Sequence, residues 1–147
     1  MKSDYHLFKK GVRPEWEDPQ NKHGGKWAYQ FKKGDKRDIS IDDSWLWTVL
    51  AAIGETLEAE AASEVMGVVI NVRKGFHRIG VWTKTTGKGS PGQKGRDKNP
   101  DSAKALMEVG RRFKEVLKLD ANEQVEFTGH TESAQSGSTR AKARIVV

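Results

Sequence analysis

The sequence contains no cysteine, so disulfides and thiolate metal sites are excluded and nothing argues for an oxidising compartment. It has no apolar stretch approaching membrane-spanning length. Its first residues, Met1-Lys2-Ser3-Asp4-Tyr5-His6, lack the apolar segment of a secretory signal. A cytosolic or nuclear soluble protein without membrane contact is expected. Catalytic signatures are missing as well. Gly87-Lys88-Gly89-Ser90 lacks the leading glycine at the spacing a phosphate-binding loop needs. No nucleophile–base motif or metal triad occurs, and His23 and His77 have no ligand partners at useful spacing. Glu17 and Asp18 could do acid–base chemistry, but nothing places a nucleophile beside them. No metal, cofactor or enzymatic centre is expected.

What remains is a polar, basic chain of 147 residues with a net charge of +6, enough for one domain and one core. That charge suits a polyanion such as RNA, although it is also common on soluble domains. Against this background stand five tryptophans: Trp16, Trp27, Trp45, Trp47 and Trp82. Trp16 lies in the loop segment Pro14-Glu15-Trp16-Glu17-Asp18-Pro19, with a carboxylate beside the indole. A reachable aromatic face, an adjacent carboxylate and nearby cations are the parts needed to hold a purine nucleotide. The ring stacks, the carboxylate reads base N–H groups, and the cations take phosphates.

No internal repeat is present. Residues 11–25 read as a loop, and residues 26–32 alternate as a strand with Trp27, Tyr29 and Phe31 on one face. Ser40 is a suitable N-cap for a helix running to about residue 57, with Asp42 and Asp43 in its first turn. Its apolar residues cover more than one face, so the helix is either buried on two sides or offers one side to a partner. Residues 65–73 form a strand and residues 78–84 run back, joined by a turn at Lys74-Gly75-Phe76-His77. Pairing Arg73 with Arg78 sets Asn71 beside Gly80 and Val69 beside Trp82. Arg73, Arg78, Asn71 and Trp82 then share one polar, basic, aromatic face. After a Gly/Lys-rich loop, Asn99 caps a second helix with Pro100 first and a stripe of Leu106, Gly110, Phe113 and Leu117. Val125 and Phe127 mark a short strand, and residues 145–147 a last one. The fold class is α+β, an antiparallel sheet with helices on one face.

These segments resemble a known family. Asp4-Tyr5-His6-Leu7-Phe8-Lys9, Pro14-Glu15-Trp16-Glu17-Asp18 and Asn21-Lys22-His23-Gly24-Gly25-Lys26-Trp27 come first. Trp45-Leu46, Ile53-Gly54-Glu55, Val69-Ile70-Asn71-Val72-Arg73, Val81-Trp82-Thr83 and Ser136-Gly137-Ser138-Thr139 follow in order. Together they are similar to eukaryotic translation initiation factor 4E, the messenger-RNA cap-binding family. The resemblance implies a curved antiparallel sheet, shaped like a cupped hand, with helices on its convex back. It implies binding of the 7-methylguanosine triphosphate cap between two tryptophans, one of them Trp16. Glu17 would accept from guanine N–H groups and Trp82 would pack near the N7-methyl. Arg73 and Arg78, supported by Lys26 and Asn71, would hold the phosphates. The family often has lysine at the position of Arg78, which keeps the charge and changes the donor geometry. On the back, Leu46, Trp47, Leu50 and Gly54 match the surface that docks a helical peptide from a factor 4G-type scaffold or a 4E-binding repressor. Trp47 departs from the acidic residue many members carry there. Ser138 matches a phosphorylation position. The resemblance thus implies a monomer that works inside a larger initiation complex.

The resemblance also implies an N-terminally truncated member. Two strands, a helix and the first stacking tryptophan of the family have no counterpart here, and a sheet edge is expected to be uncovered. Plainer readings stand beside these. Trp27 and Trp45 are expected in the core, Arg73 and Arg78 could be hairpin-end charges, and the lysines of 84–98 could be a solvated loop. The rival functions are a peptide-binding adaptor or repressor with little cap affinity, and a generic RNA-binding module.

Overall fold

The computed structural model describes residues 2–15, 17–19, 21–32, 40–59, 63–85, 100–130 and 145–147. Six strands form one curved antiparallel sheet: β1 (Ser3–Phe8), β2 (Gly25–Lys32), β3 (Val65–Val72), β4 (Phe76–Thr83), β5 (Glu126–Gly129) and β6 (Ile145–Val146). Their spatial order is β1-β3-β4-β2-β5-β6. Helices α1 (Ile41–Ile53) and α2 (Pro100–Val116) pack on the convex face, as the α+β reading expects.

Strand alternation divides the two faces. Trp27, Tyr29, Val68, Ile70, Ile79, Val81 and Phe127 are buried against the helices. Leu106, Val109 and Phe113 of α2, and Leu117 just after it, meet them and are fully buried. Trp27 anchors this junction. Its Nε1 donates to the Leu106 carbonyl at 3.0 Å, and Gly110 leaves room for the indole, since a Cβ there would lie 2.7 Å from Trp27 Cζ2.

The hairpin register differs from the sequence reading. Asn71 pairs with Arg78, Val69 with Gly80 and Gly67 with Trp82, two residues tighter than expected. The turn is only Lys74-Gly75, closed by Arg73 N donating to Phe76 O at 3.0 Å, so β4 begins at Phe76. A two-residue shift preserves which face each side chain takes, whereas a one-residue slip would invert it. The predicted grouping of Arg73, Arg78, Asn71 and Trp82 therefore holds.

Helix α1 also ends earlier than expected, at Ile53 rather than near residue 57. The Gly54 N–H caps the Leu50 and Ala52 carbonyls, and Glu55 turns left-handed at φ 56°. Ser40 is the N-cap, its hydroxyl accepting from Asp43 N at 3.4 Å. The inward face of α1 carries the small residues Ser44, Thr48 and Ala51, while Leu46, Leu50 and Ile53 are 52%, 55% and 65% exposed. Trp45 is half-buried and packs on the core. The second alternative read from the sequence, one apolar side left open, is the arrangement found.

Candidate nucleotide-binding face

The concave face collects the residues that alternate away from the helices. One row crosses four strands: Asp4 of β1, Asn71 of β3, Arg78 of β4 and Gln30 of β2 are successive partners. Arg73 closes this row, its Nη1 donating to Asp4 Oδ1 at 2.7 Å and to the Ser3 carbonyl at 3.3 Å. Asn71 Nδ2 donates to the same Asp4 oxygen at 2.9 Å. Arg78 Nη2 donates to Gln30 Oε1 at 3.2 Å, and its guanidinium lies 5.2 Å above the Phe76 ring centre.

A second row holds Phe8, Gly67, Trp82, Lys26 and Thr128 on the same face. Trp82 and Arg78 are four residues apart on β4, which is ~13 Å along a strand. That separation suits a base at one end and a chain of phosphates at the other. His130 follows β5 and is buried, with its ring centre 4.3 Å from that of Trp82.

The cations on this face lie within electrostatic reach of one another. Burial first, then the neighbouring Arg78 charge, lowers the Lys26 ammonium below the ordinary lysine value. Arg78 is lowered by burial and then by Arg73, with Glu126 partly offsetting. Half-buried like charges are held together here at a cost that an anion between them would relieve.

The loop between β1 and β2 is braced from within. Buried Asp18 accepts from Arg13 N at 3.0 Å. Buried Asn21 donates to the carbonyls of Arg13 and Glu15 at 2.7 and 2.9 Å. Glu17 is exposed between these braces. Asp18, read from sequence as a possible acid–base group, is a structural brace. Trp16 and Ser138 lie outside the described residues.

On the convex side, Leu46 and Leu50 are exposed at helical spacing, with Gly54 next along the same line. Trp47 is half-buried, and Lys118 Nζ sits 4.2 Å above its ring centre. Phe8, Gly67, Asp4 and His130 were not singled out as site residues from sequence. The alternation Asp4-His6-Phe8 and its counterpart Glu126-Thr128-His130 carried the signal. Each segment is short, and its facing is fixed only once its partner strand is known.

A family profile described as "Eukaryotic initiation factor 4E" matches residues 1–145. The chain is 52% identical over 147 residues to Eukaryotic translation initiation factor 4E-1 of Schizosaccharomyces pombe, covering all of this chain and 60% of that protein. It is 35% identical over 144 residues to human Eukaryotic translation initiation factor 4E type 1B, covering 98% of this chain and 53% of that one. The chain thus spans between about half and three-fifths of the length of these curated relatives. Among solved structures, it is similar to Caenorhabditis elegans eIF4E-3 in complex with the 4E-binding protein Mextli. There the TM-score is 0.76 at 26% identity, over 98% of this chain and 69% of that one. It is also similar to Ascaris suum eIF4E-3 in complex with an m7G cap, with a TM-score of 0.74 at 30% identity, over 98% and 68%.

Proposed function

Because the chain belongs to the eukaryotic initiation factor 4E family, we propose that it binds the 7-methylguanosine triphosphate cap of messenger RNA on its concave face. Residues 1–147 act as one domain, a binding protein and not an enzyme, working in the cytoplasm as a monomer inside a larger initiation assembly. Trp16 stacks on the base. Glu17 accepts charge-assisted hydrogen bonds from guanine N–H groups. Trp82 packs near the N7-methyl, whose cationic ring an indole attracts more strongly than plain guanine. Lys26, Arg73 and Arg78, with Asn71, take the phosphates.

The observation that carries this reading is that Lys26 and Arg78, both half-buried and shifted toward losing their protons, share one face with Trp82. Solvated hairpin-end charges would not be half-buried within electrostatic reach of one another. A generic RNA-binding module would need the cations but not an indole on the same face.

A peptide-binding role is added by a separate observation, the exposed Leu46, Leu50 and Ile53 on α1. Three large apolar side chains turned outward on one helix suit the apolar anchors of a helical segment. Such a segment would come from a 4G-type scaffold or a 4E-binding repressor. Trp47, covered by Lys118, adjoins that stripe.

The first test is a fluorescence titration of the folded chain with 7-methyl-GTP and with unmethylated GTP. Tighter binding of the methylated nucleotide, weakened in Trp82→Leu, is the expected result. Equal affinity for both nucleotides would rule out cap reading and leave the peptide-binding role alone.

A further inference from the structure

Trp82 is held between two rings that the phosphate contacts do not involve. On one side Phe8 meets it edge-on, with ring centres 5.3 Å apart at 85°. On the other side lies His130 at 4.3 Å and 49°. Gly67 makes the first contact possible, since a Cβ there would lie 2.4 Å from Phe8 Cγ. The second is fixed by the backbone, where His130 N donates to the Gly24 carbonyl at 3.0 Å.

His130 is an unusual residue for a purely structural wall. It is 6% exposed, and its Nε2 is buried with no hydrogen-bond partner among the described residues. Leaving a polar ring atom unpaired in the interior costs stability that a phenylalanine would not. Its neighbours on this face are the Trp82 indole and the Lys26 ammonium.

We propose that His130 is a positioning residue for methylated-base recognition, holding the Trp82 ring plane, against Phe8 on the far side, where it discriminates 7-methylguanine from guanine. The inference rests on the cap-binding role proposed for Trp82. Burial, and then the Lys26 charge, push the His130 pKa down to about 4, so its ring is neutral at physiological pH. A neutral imidazole carries no charge to compete with a cationic base for the indole π-density. An imidazolium at this distance would draw on that π-density itself and repel the methylated purine.

The test compares wild type with His130→Leu and His130→Phe, each checked for folding by circular dichroism. The readout is the ratio of affinities for 7-methyl-GTP and GTP at neutral pH. Leucine fills the space without a ring and should lower that ratio roughly tenfold, with GTP affinity changed less than about twofold. Phenylalanine restores a flat wall and should keep the ratio near wild type. A folded leucine variant with the wild-type ratio would overturn the inference alone, as would equal weakening toward both nucleotides. Wild type with no methyl preference would instead overturn the cap reading, and this inference with it. Should leucine not be tolerated, Phe8→Leu tests the opposite wall with the same readout, and an unchanged ratio there would also count against the arrangement.

Discussion

Asp4 Oδ1 accepts from Arg73 Nη1 at 2.7 Å, joining strand β1 to the end of β3. Hydrogen bonds from Arg73, and then from Asn71, hold the Asp4 carboxyl below the ordinary carboxylate range. Arg73 therefore meets the concave face with a counter-ion already in contact, while among the described residues Arg78 makes its side-chain hydrogen bond to a neutral amide.

Replacing Asp4 by Asn removes that competitor while keeping an acceptor for the guanidinium. The pair is partly exposed, so its loss should change stability by only about 0–1 kcal/mol. Affinity for 7-methyl-GTP should rise, roughly two- to fivefold at low ionic strength, because a negative charge leaves the field of the three cations. The gain should be smaller for 7-methyl-GMP, which has less charge to place there. Calorimetric titration of both nucleotides checks this. A fall in affinity would mean that Asp4 matters for aiming Arg73, not for restraining it.

Two glycines should separate fold from site. Gly110→Ala puts a methyl 2.7 Å from the buried Trp27 ring, and overpacking of this kind costs about 1–3 kcal/mol. Its melting temperature should fall while its preference for methylated nucleotide stays intact. Gly67→Ala pushes on the Phe8 ring, which touches Trp82. That variant should lose methyl preference as well as stability. Equal behaviour of the two in a paired melt and titration would remove Phe8 from the site.

The legibility of these features follows their physics. The Arg73, Arg78, Asn71 and Trp82 grouping was readable because strand facing depends on parity, and a two-residue register error leaves parity unchanged. The stripe of α2 was readable because Leu106, Gly110 and Phe113, with Leu117 just past the helix end, repeat at helical spacing over a long segment. Helix α1 was harder. Its buried side is Ser44, Thr48 and Ala51, so apolar periodicity alone could not say which side meets the sheet. Strand β1 was read only as a matching block, because Ser3–Phe8 mixes polar and apolar residues on both faces. Its role as the partner of β3 is set by a contact more than sixty residues away.

The open side of α1 gives the cleanest separation of functions. Leu50 is 55% exposed, so Leu50→Glu should leave folding stability within ~0.5 kcal/mol of wild type. Binding of a helical peptide from a 4G-type scaffold should weaken by more than about tenfold, because the substitution desolvates a charge against an apolar anchor. Cap-analogue affinity should not change, since Leu50 lies on the opposite side of the sheet. Pull-down and polarisation assays on one protein sample check both parts. Retained peptide binding would exclude this stripe as the docking surface.

The neutral, buried His130 also predicts how the fold responds to acid. Its pKa is about 4 in the folded protein, against 6.5 for an unperturbed imidazole. Between those values the unfolded chain binds the extra proton, so folding stability should be complete above pH 6.5 and decline as the pH falls toward 4. Below about 4 the folded imidazole also protonates and this source of destabilisation levels off, at a total of roughly 3 kcal/mol. Asp4 has the opposite linkage. Its lowered pKa contributes stability that is present above the unfolded value of 3.8 and lost as the pH falls through the folded one, so it acts below the histidine window. Urea denaturation at neutral pH and near pH 4.5 should show a loss in wild type that His130→Phe largely removes. A phenylalanine variant with the same acid sensitivity would mean that the imidazole charges within the fold without penalty. Lys26 and the indole beside it would then not be keeping the ring neutral, and the flat, uncharged wall behind Trp82 would lose its physical basis.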